Sequence, residues 1–171
     1  MIPPAVEIVA VSQLPAAPHR GLWHGPWGAL LLIGDAHRLQ RARFQGPQPA
    51  VAPPATPLPP PWGAQDPLRL TLRGTDFQQS VWQALAELRP GERVNYSELA
   101  ARVDRRSAVR AVASAVAANP APVLLPCHRV IRRDGTAGQY IGGRARKHRL
   151  LAWETPTGVT PNVPDTPRCQ S

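Results

Sequence analysis

The chain has 171 residues, 43% of them hydrophobic, which suffices for a packed core in one ordinary domain or in two small ones sharing an interface. Twenty Lys+Arg against eleven Asp+Glu leave a net charge of +9, and nineteen of the twenty are Arg, so a polyanionic partner is expected. Two cysteines exclude a disulfide framework, and the longest aliphatic run, 29–33, is far too short to span a bilayer.

The start, Met1-Ile2-Pro3-Pro4, shows no basic leader followed by an apolar core, so a cytoplasmic protein, in a bacterial cytosol, is expected, with no membrane partner. In the first stretch, 27–33 reads as a strand, Gly34-Asp35 as a turn and 39–44 as a return strand of alternating character. Residues 1–45 are therefore predicted to form a small β-rich domain. From Gly46 the chain is dense in proline, including Pro59-Pro60-Pro61, and 46–70 reads as a linker because proline removes backbone donors and fixes the chain extended.

Helical patterning then begins. Thr75 and Gln78 have capping-box spacing, and Phe77, Val81, Leu85 and Leu88 fall on one face until Pro90-Gly91 ends the helix. Asn95 and Glu98 repeat the cap ahead of a short helix carrying Leu99, Ala100 and Val103. After a break at 104–106, a second helix opens near Ser107 with Val109, Val112 and Val116 inward. Two short helices joined by a tight turn, the second with Arg at its start, outline a helix-turn-helix. Asn119-Pro120 ends it. Residues 123–125 read as a short buried strand leading to Pro126-Cys127-His128-Arg129, and 135–143 as a loop with four glycines. A final helix covers 144–154, and the proline-containing tail 157–171 is expected to lack fixed structure. The predicted class is α+β: an abbreviated β-rich domain, then a mainly α domain over 71–156.

The basic excess is local. Between Arg105 and Arg149 stand ten Arg and Lys and one acid, Asp134, which describes a basic face. Within it, Cys127 draws attention. A lone cysteine is ordinarily a small core residue. Only the thiolate attacks, however, and a free thiol of pKa about 8.5 is about 3% ionised at pH 7, so a nucleophilic cysteine needs a base or a positive field. His128 and Arg129 are placed to supply both. Glu154 shares a helix face with Lys147, Leu150 and Leu151, so its carboxylate points inward or to the edge. It either forms a structural ion pair with an arginine or orients His128 toward Cys127. Arg110 lies opposite the apolar face of its helix, and Tyr96 precedes the first helix of the pair; a solvated arginine and a packing aromatic are the plain readings of both.

Pro126-Cys127-His128-Arg129-Val130-Ile131 closely resembles the active-site signature of the O6-alkylguanine-DNA alkyltransferases. The resemblance runs from about Thr75 to Glu154 and includes Phe77, Val81-Trp82, Pro90-Gly91, Tyr96, Arg110-Ala111-Val112, Asn119-Pro120, Tyr140, Gly142-Gly143 and Lys147. It implies single-turnover DNA repair: an alkyl group moves irreversibly from O6-alkylguanine, or O4-alkylthymine, to Cys127 after the nucleotide rotates out of the duplex. On the same resemblance, His128 deprotonates Cys127 through a water, Glu154 holds His128, and Asn119 braces the turn before the cysteine. Tyr96 helps rotate the nucleotide and protonates the leaving guanine, and Arg110 fills the gap in the duplex. Arg110, Ala111, Arg129 and Tyr96 are then expected to contact double-stranded DNA in the minor groove. Pro122, Val130, Gly138, Tyr140 and Lys147 are expected to line the pocket. No cofactor and no metal are expected, and the chain is expected to act as a monomer. A non-catalytic damage binder, a transcription regulator and a cysteine hydrolase are the competing readings.

Overall fold

The computed structural model describes residues 6–13, 19–34, 38–46 and 68–155. The fold is α+β, a five-stranded sheet followed by a helical unit. The strands are β1 (Val6–Ala10), β2 (His19–Gly25), β3 (Gly28–Gly34), β4 (Leu39–Gln45) and β5 (Leu68–Leu72), in the order β1-β5-β4-β3-β2. β2, β3 and β4 form an antiparallel meander, and β5 joins β1 and β4 in parallel.

The expected pair of strands is present as β3 and β4; the turn expected at Gly34-Asp35 falls partly outside the described residues. The linker assignment for 46–70 needs correction at its end. Leu68–Leu72 alternates buried and exposed side chains only at its start, with Leu68, Leu70, Thr71 and Leu72 all buried, and it fills the slot between β1 and β4. The sheet therefore takes a strand from beyond the proline-rich stretch, and that strand pairs the inner edge of β1. The proline-rich residues 47–67 and the tail from 156, including Cys169, lie outside the described residues.

The turn between β2 and β3 tucks Trp27 fully inside, edge-on to Trp23 and to Trp153 of the last helix. Gly25 permits this, since a Cβ there would lie 2.5 Å from the Trp27 ring.

The helical unit comprises α1 (Asp76–Ala86), α2 (Tyr96–Arg102), α3 (Val109–Ala117) and α4 (Arg144–Trp153). Both capping boxes form: Thr75 with Gln78 opens α1, and Asn95 with Glu98 opens α2. The Trp82 indole N–H donates to the Ala115 carbonyl at 2.9 Å and seats α3 on α1. Two short strands, β6 (Val94–Asn95) and β7 (Val130–Ile131), pair in parallel with Val94 opposite Val130. This small ladder fixes the site, because it sets the first residue of α2 beside the segment that follows Cys127.

The strand expected at 123–125 does not form. Residues 121–125 make a buried compact turn closed by a bridge between Pro122 and Leu125, with Val123 at φ 76°. A β-branched residue strongly disfavours that region, and the surrounding hydrogen bonds hold it there. Cys127–Arg129 is a single turn of 3-10 helix. The apolar run is buried because the loop is packed on all sides.

Candidate active site

Asn119 organises the loop that presents the cysteine. Its side-chain amide donates to the Leu125 carbonyl at 2.8 Å, and its carbonyl oxygen accepts from the Ala121 N–H at 2.9 Å. One buried amide thus satisfies both polar ends of the turn, in keeping with the bracing role expected for it. The turn delivers Cys127, 4% exposed, to the floor of a cavity of about 200 Å³. Tyr96, Ala113, Val116, Ala117, Gln139, Tyr140 and Ile141 complete its lining.

Behind Cys127, His128 is buried and its Nε2 lies 3.0 Å from Oε1 of Glu154, whose side chain is 2% exposed. Burial pushes the Glu154 carboxyl up, but hydrogen bonds from His128 and Arg129 prevail and hold it down at about 2. An ionised carboxylate only accepts, so Nε2 carries the hydrogen and Nδ1 keeps its lone pair. Nδ1 is buried and makes no hydrogen bond within the protein. Burial also pushes the imidazole below its ordinary value of 6.5, so it is neutral near pH 7. The Cys127 thiol is pushed up to about 11 by burial, with the Asn119 side chain and the Lys147 ammonium opposing. At rest the site holds a neutral thiol, a neutral imidazole and a carboxylate. Such a pair is inert until a proton moves between them.

Arg129, expected on the DNA face, is not there. It is 4% exposed, its Nε lies 2.9 Å from Oε2 of Glu154, and Nη1 donates to the Leu88 carbonyl. The guanidinium is used up neutralising a buried carboxylate, which would otherwise be costly to bury. Glu154 thus makes both contacts left open for it, an ion pair with Arg129 and a hydrogen bond with His128. The Gly91 N–H, in the turn after α1, adds a weaker contact to Oε2 at 3.3 Å.

Of the residues expected to line the pocket, Tyr140 does so. Pro122, Val130, Gly138 and Lys147 are buried but are not among its lining residues. Lys147 spends its ammonium on the Val130 carbonyl, at 2.6 Å, and burial lowers it to about 8. The lining also contains residues that sequence reasoning missed. Ala113 and Ala117 follow Arg110 at helical spacings of three and seven, so a stripe of small side chains runs from Arg110 along the cavity wall. That stripe was readable from the helical spacing of Arg110, Ala113 and Ala117. Gln139 and Ile141 flank Tyr140 in a glycine-rich loop where no periodicity exists to read. Arg110 and Ala111 are exposed on the first turn of α3. Tyr96 is half-buried on the cavity wall, and burial raises its hydroxyl above the ordinary value of 10.0. Among the described residues, no three His, Cys, Asp or Glu side chains converge as metal ligands would.

Residues 76–156 match the family described as 6-O-methylguanine DNA methyltransferase, DNA binding domain. The fold agrees over a longer span: a Mycobacterium tuberculosis OGT solved in complex with DNA superposes with a TM-score of 0.64 at 31% identity, over 80% of this chain and 92% of that one. The chain belongs to the O6-methylguanine-DNA methyltransferase family. Among curated relatives, it is 53% identical over 87 residues to the Escherichia coli bifunctional transcriptional activator/DNA repair enzyme Ada, over 51% of this chain and 25% of that protein. It is 47% identical over 89 residues to a Salmonella typhimurium methylated-DNA–protein-cysteine methyltransferase, over 52% of each. The chain thus spans between a quarter and about half the length of these curated relatives. In family terms the matched region begins at α1 and ends just beyond Glu154, so it contains the whole cavity and leaves the five-stranded sheet outside it.

Proposed function

We propose that this chain repairs DNA by taking the alkyl group of O6-alkylguanine onto Sγ of Cys127, once and irreversibly. The observation that carries the reading is Cys127 on the floor of a cavity between Tyr96 and Tyr140, backed by a carboxylate-oriented histidine whose second nitrogen is free to accept.

The proton of the thiol passes through a bridging water to Nδ1 of His128, and the adjacent Glu154 carboxylate stabilises the imidazolium that results. The thiolate displaces guanine from the alkyl carbon: the S–C bond forms as the C–O6 bond breaks. Guanine leaves as an anion, and the Tyr96 hydroxyl, on the cavity wall, donates the proton that makes it a neutral base. The thioether product has no leaving group a side chain here could expel, so each molecule reacts once. O4-alkylthymine offers the same carbon–oxygen bond on a smaller ring and is the second substrate.

Duplex DNA is the proposed partner. The exposed start of α3 carries Arg110 and Ala111 against the minor groove, where low sequence discrimination suits repair. Arg110, one turn before Ala113, enters the stack as the damaged nucleotide rotates into the cavity, offsetting part of the few kcal/mol that unstacking costs. We place the chain in the cytoplasm as a monomer; among the described residues no helix is long and apolar enough to cross a membrane. The repair unit is the stretch after β5, through 156, with the sheet as a separate layer before it.

The test is to mix the protein with duplex DNA carrying labelled O6-methylguanine. Label reaching Cys127 at no more than one equivalent supports the reading. Damage binding with no mass gain on Cys127 sinks it and favours the non-catalytic binder.

A further inference from the structure

The cavity wall formed by Tyr140 has an unusual support. Its hydroxyl is buried and makes no hydrogen bond within the protein, so packing and ring contacts, not a hydroxyl bond, orient it. Those contacts run in two directions. Toward the chemistry, the Tyr140 ring meets His128 edge-on at 6.5 Å between centroids. Toward the sheet, it meets Phe44 edge-on at 5.8 Å. Phe44 stands near the end of β4, in a part of the chain that contributes no group to the cavity lining.

Arg146 ties this contact down. It is 6% exposed, and its guanidinium lies over the Phe44 ring at 4.9 Å. Its donors reach carbonyls of three separate segments: Trp27 in the turn between β2 and β3 at 3.0 Å, Gly46 after β4 at 2.9 Å, and Gly142 in the loop bearing Tyr140 at 3.2 Å. A planar fork holds its donors apart and so spans three such acceptors, whereas the three donors of a lysine ammonium radiate from a single nitrogen. Gly142 lets the loop close on the sheet, since a Cβ there would lie 2.4 Å from the Phe44 ring and 3.0 Å from Tyr140. The same strand supports the opposite side of the site. Beyond its single pairing with β5 at Leu39, β4 turns its edge to the helical unit, and the Ala42 N–H donates to the Pro120 carbonyl at 3.0 Å, next to Asn119.

We propose that Phe44 and Arg146 are positioning residues for the acceptor cavity, holding the Tyr140 loop at the spacing an incoming base requires. The proposal rests on the alkyl-acceptor reading and assigns the sheet a task within it. The sheet acts as the fixed jaw against which the glycine-rich loop is set. Neither residue touches the substrate, so their loss loosens the hold on the base while leaving the sulfur and its proton acceptor in place.

The experiment follows single-turnover methyl transfer by intact mass, using the full chain, with free O6-methylguanine base and with duplex DNA containing it. For Phe44→Leu and Arg146→Met, the half-saturating concentration of free base is expected to rise about tenfold, while the limiting first-order rate falls less than about threefold. Phe44→Tyr, which keeps the ring, should restore half-saturation to within about twofold of the wild type, and Arg146→Lys should not. Half-saturation unchanged in both Phe44→Leu and Arg146→Met, or losses confined to melting temperature and reacting fraction, would overturn the positioning role. The wild-type control separates the two ideas: no mass gain there refutes the alkyl acceptor itself, whereas a reactive wild type with unaltered variants refutes only the brace.

Discussion

His128 and Glu154 meet at 3.0 Å although one belongs to the turn of Cys127 and the other caps the final helix. Arg129 closes the group from the far side, so a carboxylate with a 2% exposed side chain has a partner on each flank.

Glu154→Gln should therefore damage both stability and rate. It strands a buried guanidinium, a loss of roughly 3–5 kcal/mol for a broken buried pair. It also removes the charge that steadies the imidazolium, and transfer should slow by about a hundredfold or more. Thermal unfolding and single-turnover kinetics on the folded fraction read the two effects separately. A variant that melts normally and transfers normally would remove Glu154 from the relay.

Cys127→Ser and Cys127→Ala should accept no alkyl group while still binding damaged duplex. Serine is a hard, weakly acidic oxygen in the same place and cannot substitute for a thiolate at an alkyl carbon. Intact mass and a gel-shift titration check the pair.

Acid should weaken the fold in two stages. His128 is held below 6.5 by burial, so the unfolded chain binds more protons and stability declines as pH falls below 6.5. Glu154 is held at about 2 against an unfolded value near 4.5, so the stability it contributes is complete above 4.5 and disappears between 4.5 and about 2. Transfer by the folded protein should hold as pH first falls below 6.5 and decline only once His128 becomes protonated, below its depressed value. Denaturant midpoints and transfer rates measured from about pH 2 to 8, roughly the span of both titrations, provide the comparison. A fold whose stability is flat down to pH 4, within that span, contradicts it.

Arg110→Ala should slow reaction with alkylated duplex by about tenfold or more and leave reaction with free alkylated base within about twofold. Equal losses on both substrates would refute insertion into the stack. Duplex binding should also weaken as salt rises, through released counterions.

Sequence patterning placed the helical unit and set Cys127 beside His128, and the reasons are local. Thr75, Gln78, Asn95 and Glu98 mark helix starts through contacts three residues apart, and Cys127 and His128 are neighbours in the chain. What escaped depends on distant partners. Arg129 reads as a surface cation until Glu154, 25 residues on, and the Leu88 carbonyl, 41 residues back, claim it. Residues 123–125 read as a strand because they are apolar and branched, yet the Asn119 side chain folds them into a turn with Val123 at φ 76°. β5 was hidden because prolines dominate the stretch before it and its partner β1 is some sixty residues upstream, Val6 lying opposite Leu68.

Trp82 clasps Ala115 on the buried side of α3, while the outer stripe of the same helix leads from Arg110 to the cavity wall at Ala113 and Ala117. The indole works as a key against rotation, so, on the proposed alkyl-acceptor reading, the angle at which the protein rides on a duplex and the aperture offered to a lesion are one mechanical setting. Evolution or design can widen the range of adducts admitted by trimming or enlarging side chains at 113, 116 and 117, but not by re-seating the helix without also changing its grip on the nucleic acid.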